Sequence, residues 1–120
     1  GGYGGSNWIM IDGLRSGKDF SEFKNWGIKT RDCLIENKGL GIPLIATGGV
    51  RSGLDIAKAI VLGADVCGIA TPFLLVLEKE GKEAVERYVD KLEWELKVAM
   101  FLTGCENIEE LKKVKYRVEK

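Results

Sequence analysis

The stretch GGVRSG at positions 48–53 combines features that favour anion binding. Gly48 and Gly49 allow the backbone to come close to a bulky group, and Arg51 adds a full charge with a fork of donors. A helix-like apolar run follows, so N–H groups of the loop and of the first helical turn carry partial positive charge. These residues predict a phosphate site made mostly of main-chain amides. Taken alone, so short a motif favours the simpler alternative of a sharp turn beside a solvated arginine.

A second loop adds support for the phosphate site over the sharp turn. The apolar segment DVCGIA ends at Ala70-Thr71, about 20 residues after the first loop, as the next strand of a βα repeat would. Loops that follow neighbouring parallel strands open at the same edge of the sheet and often share one phosphate. The two loops together therefore predict a shared anion site at that edge.

The spacing of apolar residues, together with the residues that begin and end helices, predicts the elements that position these loops. Two short apolar runs predict strands buried on both faces, and the WIMI segment at 8–11 allows a further strand before a turn-like stretch. Glycine stops and polar caps predict the helices, with Asp19 or Ser21 as the cap of the first and Thr30 as the cap of the second. The predicted strands are 43–47 and 65–70, and the predicted helices are a short one that ends at about Trp26, then 31–38, 54–62, 82–103 and a short one from Asn107.

This order predicts an α/β fold with two parallel strands and flanking helices. A closed (β/α)8 barrel needs eight strands and about 250 residues, whereas this chain has 120. We therefore expect residues 1–120 to be a fragment of such a fold, or to have a sheet that partner segments complete.

Composition excludes several classes of function. The chain has no histidine, which argues against histidine-assisted catalysis and most catalytic zinc sites. Eighteen basic and eighteen acidic residues balance, so no nucleic-acid partner is expected. No segment is long and apolar enough to predict a membrane span, and three scattered cysteines predict reduced thiols in the cytoplasm. The three tryptophans are expected to pack internally, and no metal site is predicted.

A resemblance extends this interpretation. The stretch IPLIATGGVRSGLDIAKAIVLGADVCGIATP at 42–72 resembles the last two βα units of FMN-dependent TIM barrels. GGSNW at 4–8, NWGIKT at 25–30 and ELKVAMFLTGCENIEELKK at 95–113 are similar to segments of type 2 isopentenyl-diphosphate isomerases, in the same order. Ser6 stands where that family usually has threonine, and Lys29 where it has proline.

The resemblance implies roles for particular residues. Gly49, Val50 and Arg51 would hold the FMN phosphate, with Gly48 permitting the approach. Ala70 and Thr71 would supply donors from the following loop, and the hydroxyl of Ser6 would replace that of the family's threonine. No residue of the chain is expected to be catalytic, because the family's magnesium and substrate-diphosphate residues lie in the earlier half.

The resemblance also implies that residues 1–120 form the C-terminal part of a (β/α)8 TIM barrel, and it implies the activity of a longer parent protein. That activity is the interconversion of isopentenyl and dimethylallyl diphosphate in isoprenoid biosynthesis, with FMN, Mg²⁺ and NADPH, in a homo-oligomer. The fragment alone is expected to be inactive. Two alternatives stay open: another FMN-dependent barrel enzyme such as a hydroxy-acid oxidase, against which the lack of histidine counts, and a non-catalytic barrel fragment that self-associates.

Overall fold

The computed structural model describes residues 5–119. Within that range the chain alternates helices with two short parallel strands. The elements in chain order are α1 (Trp8–Ser16), a 3-10 turn (Ser21–Phe23), α2 (Thr30–Asn37), β1 (Ile45–Thr47), α3 (Gly53–Val61), β2 (Val66–Gly68), α4 (Thr71–Glu80), α5 (Lys82–Leu102) and α6 (Ile108–Leu111). No helix among the described residues is long and apolar enough to cross a bilayer.

The strands β1 and β2 form a parallel pair joined by α3. Their register places Ile45 beside Val66 and Thr47 beside Gly68. Because the strands run in the same direction, their carboxyl ends lie at one edge of the sheet. The predicted βαβ arrangement is confirmed, with each strand shorter than its apolar run suggested.

Helix α3 joins two apolar clusters, one on each side. The first contains the sheet residue Ala46 with Leu34 of α2 and Ala59 of α3. The second contains Ala57 and Ile60 of α3 with Leu111 of α6, against the C-terminal half of α5. Small residues on α3 let both neighbours approach closely, so this helix fixes the position of the loop that precedes it.

The sheet is incomplete within the described chain. The register partners Ile45 and Val66 remain 67% and 56% exposed, although both side chains belong to the apolar type that a barrel interior buries. The radius of gyration is 16.3 Å, against about 14 Å for a compact domain of this length. These features are those of a partial (β/α)8 barrel, which agrees with the predicted fold class.

Two regions differ from the sequence-based expectation. Residues 8–16 form helix α1 and no strand, because the Asn7 side chain accepts a hydrogen bond from the Met10 amide and caps the helix. Helix α4 was not predicted, although Pro72 at its first turn is a common helix-start signal.

The tryptophans do not pack as expected. Trp8, Trp26 and Trp94 are 74%, 75% and 65% exposed. Helix α1, which carries Trp8, contacts mainly the short 3-10 turn. The Trp26 ring lies 6.0 Å from the ring of Phe23 in that turn, centroid to centroid, and is still largely exposed.

Candidate functional site

Three segments that are distant in sequence meet at the carboxyl edge of the sheet. Gly48 and Gly49 follow β1, and Ala70 and Thr71 follow β2. The N-terminal segment joins them, since Ser6 Oγ and Thr71 Oγ1 share a hydrogen bond of 2.9 Å. The predicted convergence of the two loops is therefore present, and Ser6 lies beside it.

The glycines of the first loop are required by its geometry. Gly48 and Gly49 have φ values of +102° and +81°, a region that side-chain-bearing residues rarely adopt. The loop is also tightly packed, because a Cβ atom added to Gly5 would lie 2.8 Å from the Gly48 Cα atom. The N-terminal segment thus rests directly on the first loop, backbone against backbone.

Thr30 of α2 stabilises the first loop through a side-chain hydrogen bond. It was expected to cap α2, but Lys29 occupies the cap position and Thr30 is the first helical residue. Its hydroxyl instead donates to the carbonyl of Gly48 at 2.8 Å. No local sequence signal identifies this contact, because the two residues are 18 positions apart.

The first turn of α3 is already occupied by protein groups. Glu95 of α5 accepts a hydrogen bond from the Gly53 amide at 2.7 Å, and Ser52 Oγ accepts one from the Asp55 amide at 3.1 Å. The expectation that this turn would offer free amides to an anion is therefore wrong for Gly53 and Asp55, whereas the Leu54 amide has no hydrogen-bond partner within residues 5–119. The Glu95 carboxylate also interacts favourably with the helix dipole.

Free donors remain in the two loops. The amides of Gly49 and Val50 have no hydrogen-bond partner within residues 5–119, and neither do those of Thr71 and Phe73 in the first turn of α4. Gly49 and Thr71 are exposed, whereas the Val50 side chain is buried and anchors the loop. Ala70, also exposed, is the residue immediately before α4. These donors belong to two neighbouring loops at one edge of the sheet.

Arg51 adds charge to the same edge. Its side chain is exposed and has no ion-pair or hydrogen-bond partner among the described residues. Its backbone is more constrained, because the Arg51 amide donates to Asp55 Oδ2 at 3.2 Å. The guanidinium is thus available for a ligand, while the Arg51 amide is not.

Tyr88 of α5 makes a contact with the first loop that the sequence did not predict. Its hydroxyl donates to the Arg51 carbonyl at 2.6 Å. Partial burial raises the pKa of this phenol, and the nearby carboxylates of Glu95 and Asp55 raise it further. The hydroxyl therefore stays protonated and keeps donating at neutral pH. In the sequence, Tyr88 was only one member of an apolar helix face.

Other parts of the chain offer little chemistry. Across residues 5–119, no cluster of three or more potential ligands could bind a metal ion. A cavity of about 520 Å³ lies behind the first loop, between α2, α3 and the C-terminal tail. Gly48, Gly49 and Val50 line it from the first loop, whereas none of Ser6, Ala70 and Thr71 does.

Comparisons with known proteins agree with this arrangement. Residues 31–117 match the family described as FMN-dependent dehydrogenase. The isopentenyl-diphosphate delta-isomerases of Methanococcus maripaludis and Oceanobacillus iheyensis are 45% and 44% identical to the chain, over 97% and 92% of its length. The chain spans about a third of the length of these curated relatives, 34% of each.

A solved structure supports the fold. A mandelate oxidase variant with (S)-mandelic acid superposes with a TM-score of 0.75 at 22% identity, covering 94% of this chain and 37% of the oxidase. At that identity the likeness concerns the fold alone. The predicted resemblance to the isopentenyl-diphosphate isomerases is confirmed by the sequence relatives, and the matched residues establish that the chain belongs to the FMN-dependent dehydrogenase family.

Proposed function

We propose that residues 1–120 form the C-terminal part of an FMN-dependent (β/α)8 barrel and bind the phosphate of FMN. The observation that carries this proposal is the meeting of three segments at one sheet edge, joined by the hydrogen bond of 2.9 Å between Ser6 and Thr71. Neighbouring loops at the carboxyl ends of parallel strands are where such barrels bind phosphate.

The donors at this edge fit a phosphoryl group. Gly49 and Val50 would donate main-chain N–H groups, and Arg51 would place its guanidinium against the phosphate charge. Ala70 precedes the open first turn of α4, where Thr71 would add an amide and, together with Ser6, a hydroxyl. Gly48 would take part by leaving room for the ligand. The main-chain amides and the guanidinium only donate hydrogen bonds, and the hydroxyls of Ser6 and Thr71 can donate, which suits an anion.

We further propose that the longer protein is an isopentenyl-diphosphate delta-isomerase. Identities of 45% and 44% to two curated isomerases, along nearly the whole chain, support this activity more than the oxidase alternative, since a mandelate oxidase of solved structure is 29% identical over 72% of the chain. Bound FMN would supply the flavin ring that takes part in proton transfer to and from the double bond. The residues of this chain would hold and orient that cofactor, and none of them would react.

Several parts of the proposal concern the longer protein only. Mg²⁺ would bind the isoprenoid diphosphate through residues outside this chain, and NADPH would reduce the flavin. A cytoplasmic homo-oligomer without a nucleic-acid or membrane partner is the assembly we expect. An assay of isopentenyl diphosphate turnover with FMN, NADPH and Mg²⁺, each omitted in turn, tests the activity and its cofactor requirements.

Flavin titration tests the cofactor site directly. We expect the full-length protein to bind FMN strongly and residues 1–120 alone to bind it weakly or not at all, because most of the barrel is absent. Riboflavin, which lacks the phosphate, should bind more weakly than FMN. Equal affinities for the two flavins in the full-length protein would refute the phosphate site.

Arg51→Ala in the full-length protein should weaken FMN binding by about 1–3 kcal/mol, the scale of a lost hydrogen bond to a charged group. Riboflavin binding should stay the same. Arg31→Ala is a matched control, since Arg31 lies on α2 and pairs with Asp32 at 2.7 Å. An Arg51→Ala protein with wild-type FMN affinity would make Arg51 a solvated surface charge.

A further inference from the structure

Two side chains fix the backbone on both sides of Arg51. Tyr88 donates to the Arg51 carbonyl at 2.6 Å, and Asp55 accepts from the Arg51 amide at 3.2 Å. These bonds hold the two peptide groups that flank the Arg51 Cα atom. Because those peptide planes determine φ and ψ at Arg51, they also set the direction in which its side chain leaves the backbone.

Tyr88 also contacts the second loop. Its ring packs edge-on against Phe73, with 5.2 Å between the ring centroids. Phe73 lies in the first turn of α4, two residues after Thr71. One side chain therefore touches both donor-bearing segments, through its hydroxyl on one side and its ring on the other.

The position of Tyr88 is itself well determined. Helix α5 packs closely on the start of α3, because a Cβ atom added to Gly53 would meet the backbone of Leu92 and Leu96. The hydrogen bond between Glu95 and the Gly53 amide reinforces this contact. Tyr88 lies two turns before Glu95 on the same helix, so its hydroxyl has little freedom to follow a moving loop.

We propose that Tyr88 is a positioning residue for the phosphate site, setting the direction of Arg51 and its distance from the first turn of α4. This inference rests on the proposed binding of the FMN phosphate and adds a residue of α5 to it. Tyr88 does not contact the ligand. It acts through Arg51 and Phe73, since the guanidinium itself has no partner among the described residues.

The test compares FMN with riboflavin in the full-length protein. Tyr88→Phe removes the hydroxyl and keeps the ring against Phe73. We expect Tyr88→Phe to weaken FMN binding about three- to tenfold, the effect of one lost hydrogen bond, and to leave riboflavin binding unchanged. Tyr116→Phe is the matched control, because the Tyr116 hydroxyl has no hydrogen-bond partner among the described residues and its ring packs against Lys38.

Each outcome has one meaning. A selective loss of FMN affinity supports the positioning role, because only FMN has the phosphate. Equal losses for both flavins, or failure of Tyr88→Phe to fold, would assign the hydroxyl to general stability and overturn the inference. Wild-type preference for FMN in Tyr88→Phe would overturn it too. If the wild-type protein itself shows no preference for FMN, the proposed phosphate site fails first.

Discussion

Gly53 is the point where α3 and α5 touch most closely, and substituting it tests the packing that carries the site. A Cβ atom at this position would lie 2.5 Å from Glu95 Cβ and from Leu96 N, and closer still to the Leu92 carbonyl oxygen. Two of these three atoms belong to the backbone of α5, so no side-chain rotation can relieve the overlap. The two helices would have to separate by about 1.1 Å for the closest of these contacts to reach the 3.4 Å of ordinary contact.

The expected cost of Gly53→Ala follows from two opposing effects. Alanine favours helix over glycine by about 1 kcal/mol at most. Overpacking costs about 1–3 kcal/mol, and separating the helices stretches the bond of 2.7 Å between the Gly53 amide and Glu95, worth about 1.5–3 kcal/mol. We therefore expect a net loss of about 2–4 kcal/mol in the free energy of unfolding.

Urea unfolding of the full-length protein, followed by far-UV circular dichroism, measures this loss. Gly68→Ala is the matched control, because among residues 5–119 its added Cβ would meet only the Thr47 side chain, at 3.4 Å. The control should stay within about 0.5 kcal/mol of wild type, as most uncrowded substitutions do. If Gly53→Ala is equally mild, α3 and α5 are not in contact at Gly53 as described.

Two further substitutions test the supports of the loop and the sheet. Thr30→Val removes the donor to the Gly48 carbonyl, so unfolding free energy should fall by about 1 kcal/mol and FMN affinity should also fall; unchanged values in both assays would contradict that role. Hydrogen bonds from Lys112 and from the Leu44 amide hold the pKa of Asp65 below its ordinary value of 3.8. Their stabilising effect is therefore present above that pH and is lost as the pH falls through the lower folded-state pKa. Asp65→Asn should lower the free energy of unfolding at neutral pH and should weaken the decline of that free energy below about pH 4. If unfolding measurements show the same decline in the variant as in the wild type, Asp65 makes no such contribution.

The sequence was most informative where apolar spacing is regular or a turn requires glycine. The predicted helix 82–103 is observed as Lys82–Leu102, and Asn107 caps the last helix through the Glu110 amide, as expected. The glycines at 48 and 49 marked the first loop because only residues without a side chain adopt its backbone conformation easily.

The sequence was least informative about contacts between distant elements. Thr30 had the local features of a helix cap, yet its hydroxyl binds a carbonyl 18 residues away. Glu95 lies 42 residues from the amide that it caps, on a helix rich in exposed charges. Such partners depend on how helices pack, and residue type and local spacing do not encode that packing. For the same reason the expectation of free amides in the first turn of α3 is wrong for Gly53 and Asp55.

The hydrogen bond between Ser6 and Thr71 joins groups 65 residues apart in the chain. Unfolding separates them, so an anion that needs both of these segments and the first loop can bind only the native conformation. Ligand occupancy and the folding equilibrium are then thermodynamically linked. A ligand present at about 100 times its dissociation constant adds about 2.7 kcal/mol to stability. Cofactor supply would thus help determine how much of the protein persists in its native form.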